Sequence, residues 1–333
     1  VYFPIKENIG SKYHLVKKEL LADPNILSVT AQYYLFTSTS WRDTSYKWEG
    51  QKPDFQLDMI LNLVDFDYFK TLNLKISEGR GFSKEFPTDA RGAFILNEEA
   101  IKQMGIKDPI GKSFTFRDRK GVIVGVVKNA YFRSLHHKIE PHVFFVLDDP
   151  ASATQYGNVL VKINGENIEG SLAAINKAWD KVNIFSPFEY YFLEQTYDTL
   201  YKSEKQTGII LVVFTILAVA ISCMGLFGLA AFMAEKRTHE IGVRKVLGAS
   251  VSQLVKLLSK EFLHWVVLAN VLAWPIAYFI MEKWLQHFAY KGAIPPVVFP
   301  VSACFALIIA LLTVSLLSYK AATANPVDSL RNE

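Results

Sequence analysis

Cysteine is almost missing from this chain: there are two in 333 residues, Cys223 and Cys304. Both lie inside apolar runs, so they read as small packed residues rather than a disulfide or a metal pair. A dense basic tract is missing as well. The formal charge is +4 and dispersed, which argues against a nucleic-acid partner. Histidines gather once, at His136, His137 and His142. Adjacent histidines on an extended chain point apart, and no Cys or spaced carboxylate completes a ligand set, so no metal site is assigned. The carboxylates Asp65, Asp67, Asp148 and Asp149 lie near apolar runs, but nothing pairs them as acid and base. No catalytic residue and no cofactor site is assigned. Residues 105–113 nearly spell a phosphate loop, but five residues rather than four separate Gly105 from Gly111-Lys112-Ser113. The segment also follows a helical pattern and precedes a strand pattern, the reverse of the required order.

The most informative absence is charge. Residues 208–234, 262–281 and 292–319 contain no Asp, Glu, Lys or Arg. A helix needs roughly 20 apolar residues to cross the hydrocarbon core, so three membrane spans are expected at 208–234, 262–281 and 298–319. Pro295, Pro296 and Pro300 mark the entry to the third.

Residues 1–206 are mixed and charged, and read as a water-soluble domain. Helical spacing is expected over 7–22, with Ile9, Tyr13, Val16, Leu20 and Leu21 on one face, and again over 97–104 and 168–182. A short helix is expected over 67–72. Asn97 is a plausible N-cap. β-branched and aromatic stretches predict strands at 26–36, 59–64, 93–96, 113–117, 122–127, 143–147, 159–163 and 188–192. The polar stretch 37–54, with Trp41 and Trp48, reads as a hairpin or a loop, and as a packed loop in preference to a ligand-facing one. The order is α+β rather than a regular βαβ alternation.

Residues 194–206 are polar and free of Pro and Gly, so a stalk helix running unbroken into the first span is expected. Residues 251–261 are amphipathic and are expected to lie along the interface before the second span. The loop 235–250 carries Lys236, Arg237, Arg244 and Lys245, whereas 282–294 has only Lys283 and Lys291. By the excess of Lys and Arg in short inner loops, 235–250 and the C-terminus are expected to be cytoplasmic and 1–206 extracytoplasmic. The chain begins at Val1 with no secretory signal before its polar part. It is therefore expected to be a piece that lacks at least one N-terminal membrane helix.

The loop 235–250 reads EKRTHEIGVRKVLGAS, with alternating charge and two glycines. This closely resembles the cytoplasmic loop of the FtsX/MacB-like ABC-transporter permeases. The tail ANPVDSLR at 324–331 resembles that family's terminal pattern. Upstream, LNEEA at 96–100, DPIGK at 108–112, VIVGVV at 122–127, YFKTL at 68–72 and EGRGF at 78–82 resemble the MacB-like periplasmic core domain. The resemblance implies an extracytoplasmic domain over 1–193 with two lobes, one inserted in the other at about 52–142. It implies a stalk and an FtsX-like permease domain over 194–333 in a bacterial inner membrane. It further implies that ATP is hydrolysed by a separate ATPase subunit or domain. The implied partners are that ATPase, a second permease copy, membrane lipid and a periplasmic adaptor.

In this reading Glu235, Arg237, Glu240, Arg244 and Lys245 make polar contact with the ATPase. Ile241, Val243 and Val246 supply apolar knobs, and Gly242 and Gly248 allow close approach or a turn. The expected function is mechanotransmission, in which ATPase motion moves the outer domain to export or extract an envelope substrate. The alternatives are a scaffold of the same family that activates a cell-wall hydrolase, and a membrane sensor.

Overall fold

The computed structural model describes residues 1–5, 12–35, 41–146, 156–182, 187–237, 240, 243–244, 247–290 and 292–323. Ile9, residues 36–40, Leu147, Asp148, Asp149 and the tail 324–333 lie outside the described residues. The chain divides into two compact units, Val1–Lys202 and Ser203–Glu333.

The first unit is α+β and contains two sheets. Its elements begin with β1 (Tyr2–Pro4), α1 (Tyr13–Leu21), β2 (Ile26–Gln32), β3 (Arg42–Asp43), β4 (Tyr46–Trp48), β5 (Met59–Leu63) and α2 (Tyr68–Thr71). They continue with β6 (Ile76–Gly79), α3 (Asp89–Gly92), β7 (Ala93–Asn97), α4 (Glu98–Met104), β8 (Ser113–Phe116), β9 (Arg119–Val127) and β10 (His142–Phe145). The last are β11 (Asn158–Ile163), α5 (Ile168–Val182) and α6 (Leu193–Leu200).

The smaller sheet has three strands in the order β1-β11-β2, all antiparallel. Alternation along these strands puts Phe3, Val29, Ala31, Val159 and Val161 in the core with Tyr13, Val16 and Leu20 of α1 and Ile175, Ala178 and Trp179 of α5. The larger sheet has eight strands, ordered β3-β5-β10-β7-β9-β8-β4, with β6 also on β9. Its strands all fall between β2 and β11 in sequence, so the larger lobe is inserted in the smaller one.

The two ends of the larger sheet's strand order, β3 and β4, are separated by Thr44 and Ser45 alone. Such a sheet has to curl until its edges meet, which leaves few open edges. Arg117, in the β8–β9 turn, closes the seam. Its backbone N–H donates to the Ser45 carbonyl at 3.1 Å and its guanidinium to Asp43 at 2.6 Å. Inside sit Phe94, Phe114, Phe116, Phe145, Tyr46 and Trp48. The polar stretch expected as a loop or hairpin therefore contributes both closing strands.

Asn97 caps α4, accepting the Ala100 N–H at 3.0 Å, and Gly105 ends that helix at φ +68°. The strand expected over 188–192 is not one. Tyr191 makes a single antiparallel bridge with Tyr2, on the edge of β1 that faces away from β11, and β1 has only three residues to pair. The stalk is also not a single helix. It breaks at Tyr201 (φ −112°, ψ 15°), whose hydroxyl accepts the Leu135 N–H at 2.9 Å. Tyr197 donates to the Tyr131 carbonyl at 3.3 Å, so α6 is tied into the first unit.

The second unit contains α7 (Lys202–Lys236), α8 (Val251–Leu285) and α9 (Val298–Thr323). All three are long and apolar enough to cross a membrane. They meet at a small cluster of Ala230, Phe262 and Val314. Residues 251–261 do not form a separate interfacial segment. They are the first turns of one 35-residue helix, since nothing between Ser250 and Leu285 breaks it and Pro275 lies within it.

Candidate functional site

The loop between α7 and α8 is built from two helix ends. Arg237 N–H still donates to the Met233 carbonyl at 3.1 Å, continuing the α7 ladder. Glu240, Val243 and Arg244 are again helical. Four residues apart on such a backbone puts side chains on one face, and Arg244 Nη2 lies 2.7 Å from Glu240 Oε1. Leu247 N–H donates to the Val243 carbonyl at 3.0 Å and Ala249 N–H to the Arg244 carbonyl at 2.9 Å. Gly248 then takes φ +91°, a conformation that suits glycine and stops the turn. Two residues later Ser250 opens α8 with a reciprocal capping box. Its hydroxyl accepts the Gln253 N–H at 3.4 Å, and Gln253 Oε1 accepts the Ser250 N–H at 3.0 Å.

The result is a short helical turn with a fixed exit. Val243 and Leu247, also four apart, are 40% and 80% exposed. The Glu240–Arg244 pair stands beside them, both side chains about half exposed. Glu235 is exposed and Arg237 half-buried. Ile241, Gly242, Lys245 and Val246 lie outside the described residues. Leu247 was not among the apolar knobs read from the sequence. Its signal was its spacing of four from Val243. The Ser250–Gln253 box could equally have been read from its S-x-x-Q pattern.

Other polar groups singled out in the sequence take structural places. Lys17 reaches both Asp65 and Asp67, the latter at 2.5 Å, and Tyr13 donates to Asp65 at 2.5 Å. His142 is buried on β10, with Nδ1 3.0 Å from Asn62 Nδ2. Burial pushes its pKa down to about 4. His136 Nδ1 instead lies 3.1 Å from the Ser134 hydroxyl. Among the described residues no three His, Cys, Asp or Glu are grouped to hold a metal ion.

The sequence matches two family models. Residues 9–178 match the MacB-like periplasmic core domain, and residues 212–326 the FtsX-like permease C-terminal domain. Among individual relatives, a probable syringafactin export ATP-binding/permease protein of Pseudomonas syringae is 21% identical, over 71% of this chain and 37% of its own length. A macrolide export ATP-binding/permease protein of Chromobacterium violaceum is 19% identical, over 81% of this chain and 43% of its own. The chain thus spans under half the length of these relatives. Among solved structures, the periplasmic region of MacB from Actinobacillus actinomycetemcomitans aligns at TM-score 0.40 and 18% identity, over 58% of this chain and 82% of that one. The extracellular domain of the transporter YknZ from Gram-positive bacteria aligns at 0.40 and 14%, over 57% and 97%. The first family model covers residues 9–178, half of the chain, and the second covers the apolar helices; the chain belongs to the ABC-transporter permeases that join a MacB-like periplasmic core domain to an FtsX-like membrane domain.

Proposed function

We propose that this permease couples ATP hydrolysis on a partner ATPase to movement of its extracytoplasmic domain, and that the loop 235–250 is the coupling element. The observation that carries this reading is the exposed Val243–Leu247 pair, flanked by Glu240–Arg244, on a turn whose exit is fixed by Gly248 and Ser250. An apolar pair with a charged rim on a fixed backbone suits a protein partner. A short loop of net positive charge between two apolar helices suits the cytoplasmic side. The ATP-binding/permease names of the relatives support an ATPase as that partner. In this reading Glu235, Arg237, Glu240, Arg244 and Lys245 supply polar contacts. Ile241, Gly242, Val243 and Gly248 supply the apolar and close-packed ones.

Domain boundaries follow the same reading, with the extracytoplasmic domain over 1–193 and stalk plus permease domain over 194–333; the inserted lobe, expected at about 52–142, starts earlier, because β3 and β4 at 42–48 belong to its sheet. A second permease copy, a periplasmic adaptor and lipid complete the proposed assembly. The cargo is an envelope substrate handled on the extracytoplasmic side.

Glu240 and Arg244 bond each other, so single reversals confound partner contact with helix stability. The charge swap Glu240→Arg with Arg244→Glu separates them. An i,i+4 pair adds about 0.3–0.5 kcal/mol to a helix, and the swap keeps the pair. The expected result is a normally inserted permease that has lost association with its ATPase and stimulation of ATP hydrolysis. Full stimulation by the swapped protein would refute the coupling role.

A further inference from the structure

The first turns of α8 carry a basic stripe. Lys256, Lys260 and His264 recur at intervals of four, so they stand one above another on the helix, over about 12 Å of its axis. All three are exposed. Val267 and Val271, 46% and 58% exposed, continue the same stripe. The packed side of the helix is elsewhere. Ser259 and Phe262 are buried, and Val266 and Asn270 half-buried. At about 100° per residue, that side centres roughly 120° round from the stripe.

Charge and depth set this stripe apart. Among the described residues neither Lys256 nor Lys260 has a carboxylate partner, whereas Lys17, Arg42, Arg80 and Arg244 each hold one. Glu261 is the only acidic residue from Val251 to Met281, and it falls about 100° beyond Lys260 on the helix. Residues 262–281 carry no charged side chain, and a run of that length spans about 30 Å, the thickness of the hydrocarbon core. Lys260 and Lys256 then lie about 3 and 9 Å outside it, at the depth of the headgroups. Trp265, 65% exposed, stands at the same boundary, as interfacial tryptophans do.

We propose that this face of α8 holds one anionic phospholipid, its phosphate between Lys256 and Lys260 with His264 as a further donor, and an acyl chain along Val267 and Val271. A protein partner would match the cations, but not their unbroken passage into apolar side chains on the same face. A lipid presents an anion and then hydrocarbon in that order. The inference rests on α8 crossing a bilayer, and not on the coupling role of the loop 235–250.

The test uses the full chain, purified in a neutral detergent with equal amounts of phosphatidylglycerol and phosphatidylcholine of the same acyl chains. Retained lipid is counted by native mass spectrometry. The wild type is expected to keep one phosphatidylglycerol, about tenfold in preference to phosphatidylcholine. Lys256→Gln with Lys260→Gln should bring the two lipids near parity. Thermal stability should be unchanged, since both side chains are exposed and no ion pair is lost. Lys256→Arg with Lys260→Arg should keep the preference. Lys283→Gln, at an exposed lysine near the far end of α8, should keep it too, which separates this face from the general attraction of cations to anionic lipid. Equal retention of both lipids by the wild type, an unchanged preference in the Gln pair, or the same loss from Lys283→Gln would each overturn the proposal. An unchanged preference with loss of the ATPase, or of a dimer, would assign the face to that protein instead.

Discussion

At the scale of single residues, burial decides what a polar side chain does. His136, His137 and His142 form one cluster in the sequence, yet they have separate fates. His142 is enclosed between Phe132 and Phe144, with ring centroids 5.2 and 5.9 Å away. Its pKa is held to about 4 mainly by desolvation, with Arg42 and Arg133 pushing the same way and Glu140 opposing them. The unfolded chain therefore binds this proton near pH 6.5, before the folded one does. Stability is fully present above pH 6.5 and falls as the pH drops toward about 4, by up to about 3 kcal/mol across that window. Hydrogen exchange of the β5–β10 amides at pH 7 and pH 4.5 reads this directly. The wild type should lose protection at the lower pH, and His142→Phe should flatten the dependence. An equal acid response in both proteins would show that other groups govern it. Lys17 is the counterpart case: a sequence face that looks amphipathic turns its lysine inward to Asp65 and Asp67. Nothing in helical spacing marks which cation will be buried with a partner.

At the scale of elements, the sequence was legible wherever one period dominated. The charge-free runs became α7, α8 and α9, and Asn97 capped α4 as its position suggested. What failed were segments whose form depends on partners far along the chain. Residues 42–48 look like loop until β5 and β8 supply both neighbours. Residues 188–192 look like strand, but find only one bridge because β1 is short. The stalk breaks at Tyr201 where its hydroxyl meets a backbone N–H sixty-six residues away. In the loop 235–250, the charges and glycines were legible, while the α8 cap at Ser250 and the knob Leu247 emerged from geometry. The cap makes its own prediction. Replacing Ser250 by Ala removes one half of the capping box and should cost about 1 kcal/mol locally. Exchange of the Gln253 and Leu254 amides should accelerate, with the rest of α8 unchanged. Unaltered exchange would mean that α8 starts independently of its cap.

At the scale of the whole molecule, the two halves obey different solvents. The first unit closes a curled sheet around aromatic residues and pairs its inner polar groups where it can. The second leaves large apolar side chains outward along all three helices, such as Phe214, Leu272 and Leu316, an arrangement that water penalises and hydrocarbon does not. If three spans cross once each, an odd number puts the first unit and the C-terminus on opposite sides. In the proposed topology the Lys and Arg excess of 235–250 keeps that loop inside and the first unit outside. Single cysteines test this in a background lacking Cys223 and Cys304. Lys102→Cys lies on the exposed face of α4, and Leu247→Cys on the exposed loop. In intact cells whose envelope admits an impermeant thiol reagent only as far as the inner membrane, Lys102→Cys should react at once, and Leu247→Cys only after the membrane is opened. The opposite pattern would invert the molecule and remove the loop from reach of any ATPase. Equal reaction of both would show that α7 does not span, since among the described residues no other helix long and apolar enough to cross lies between the two positions.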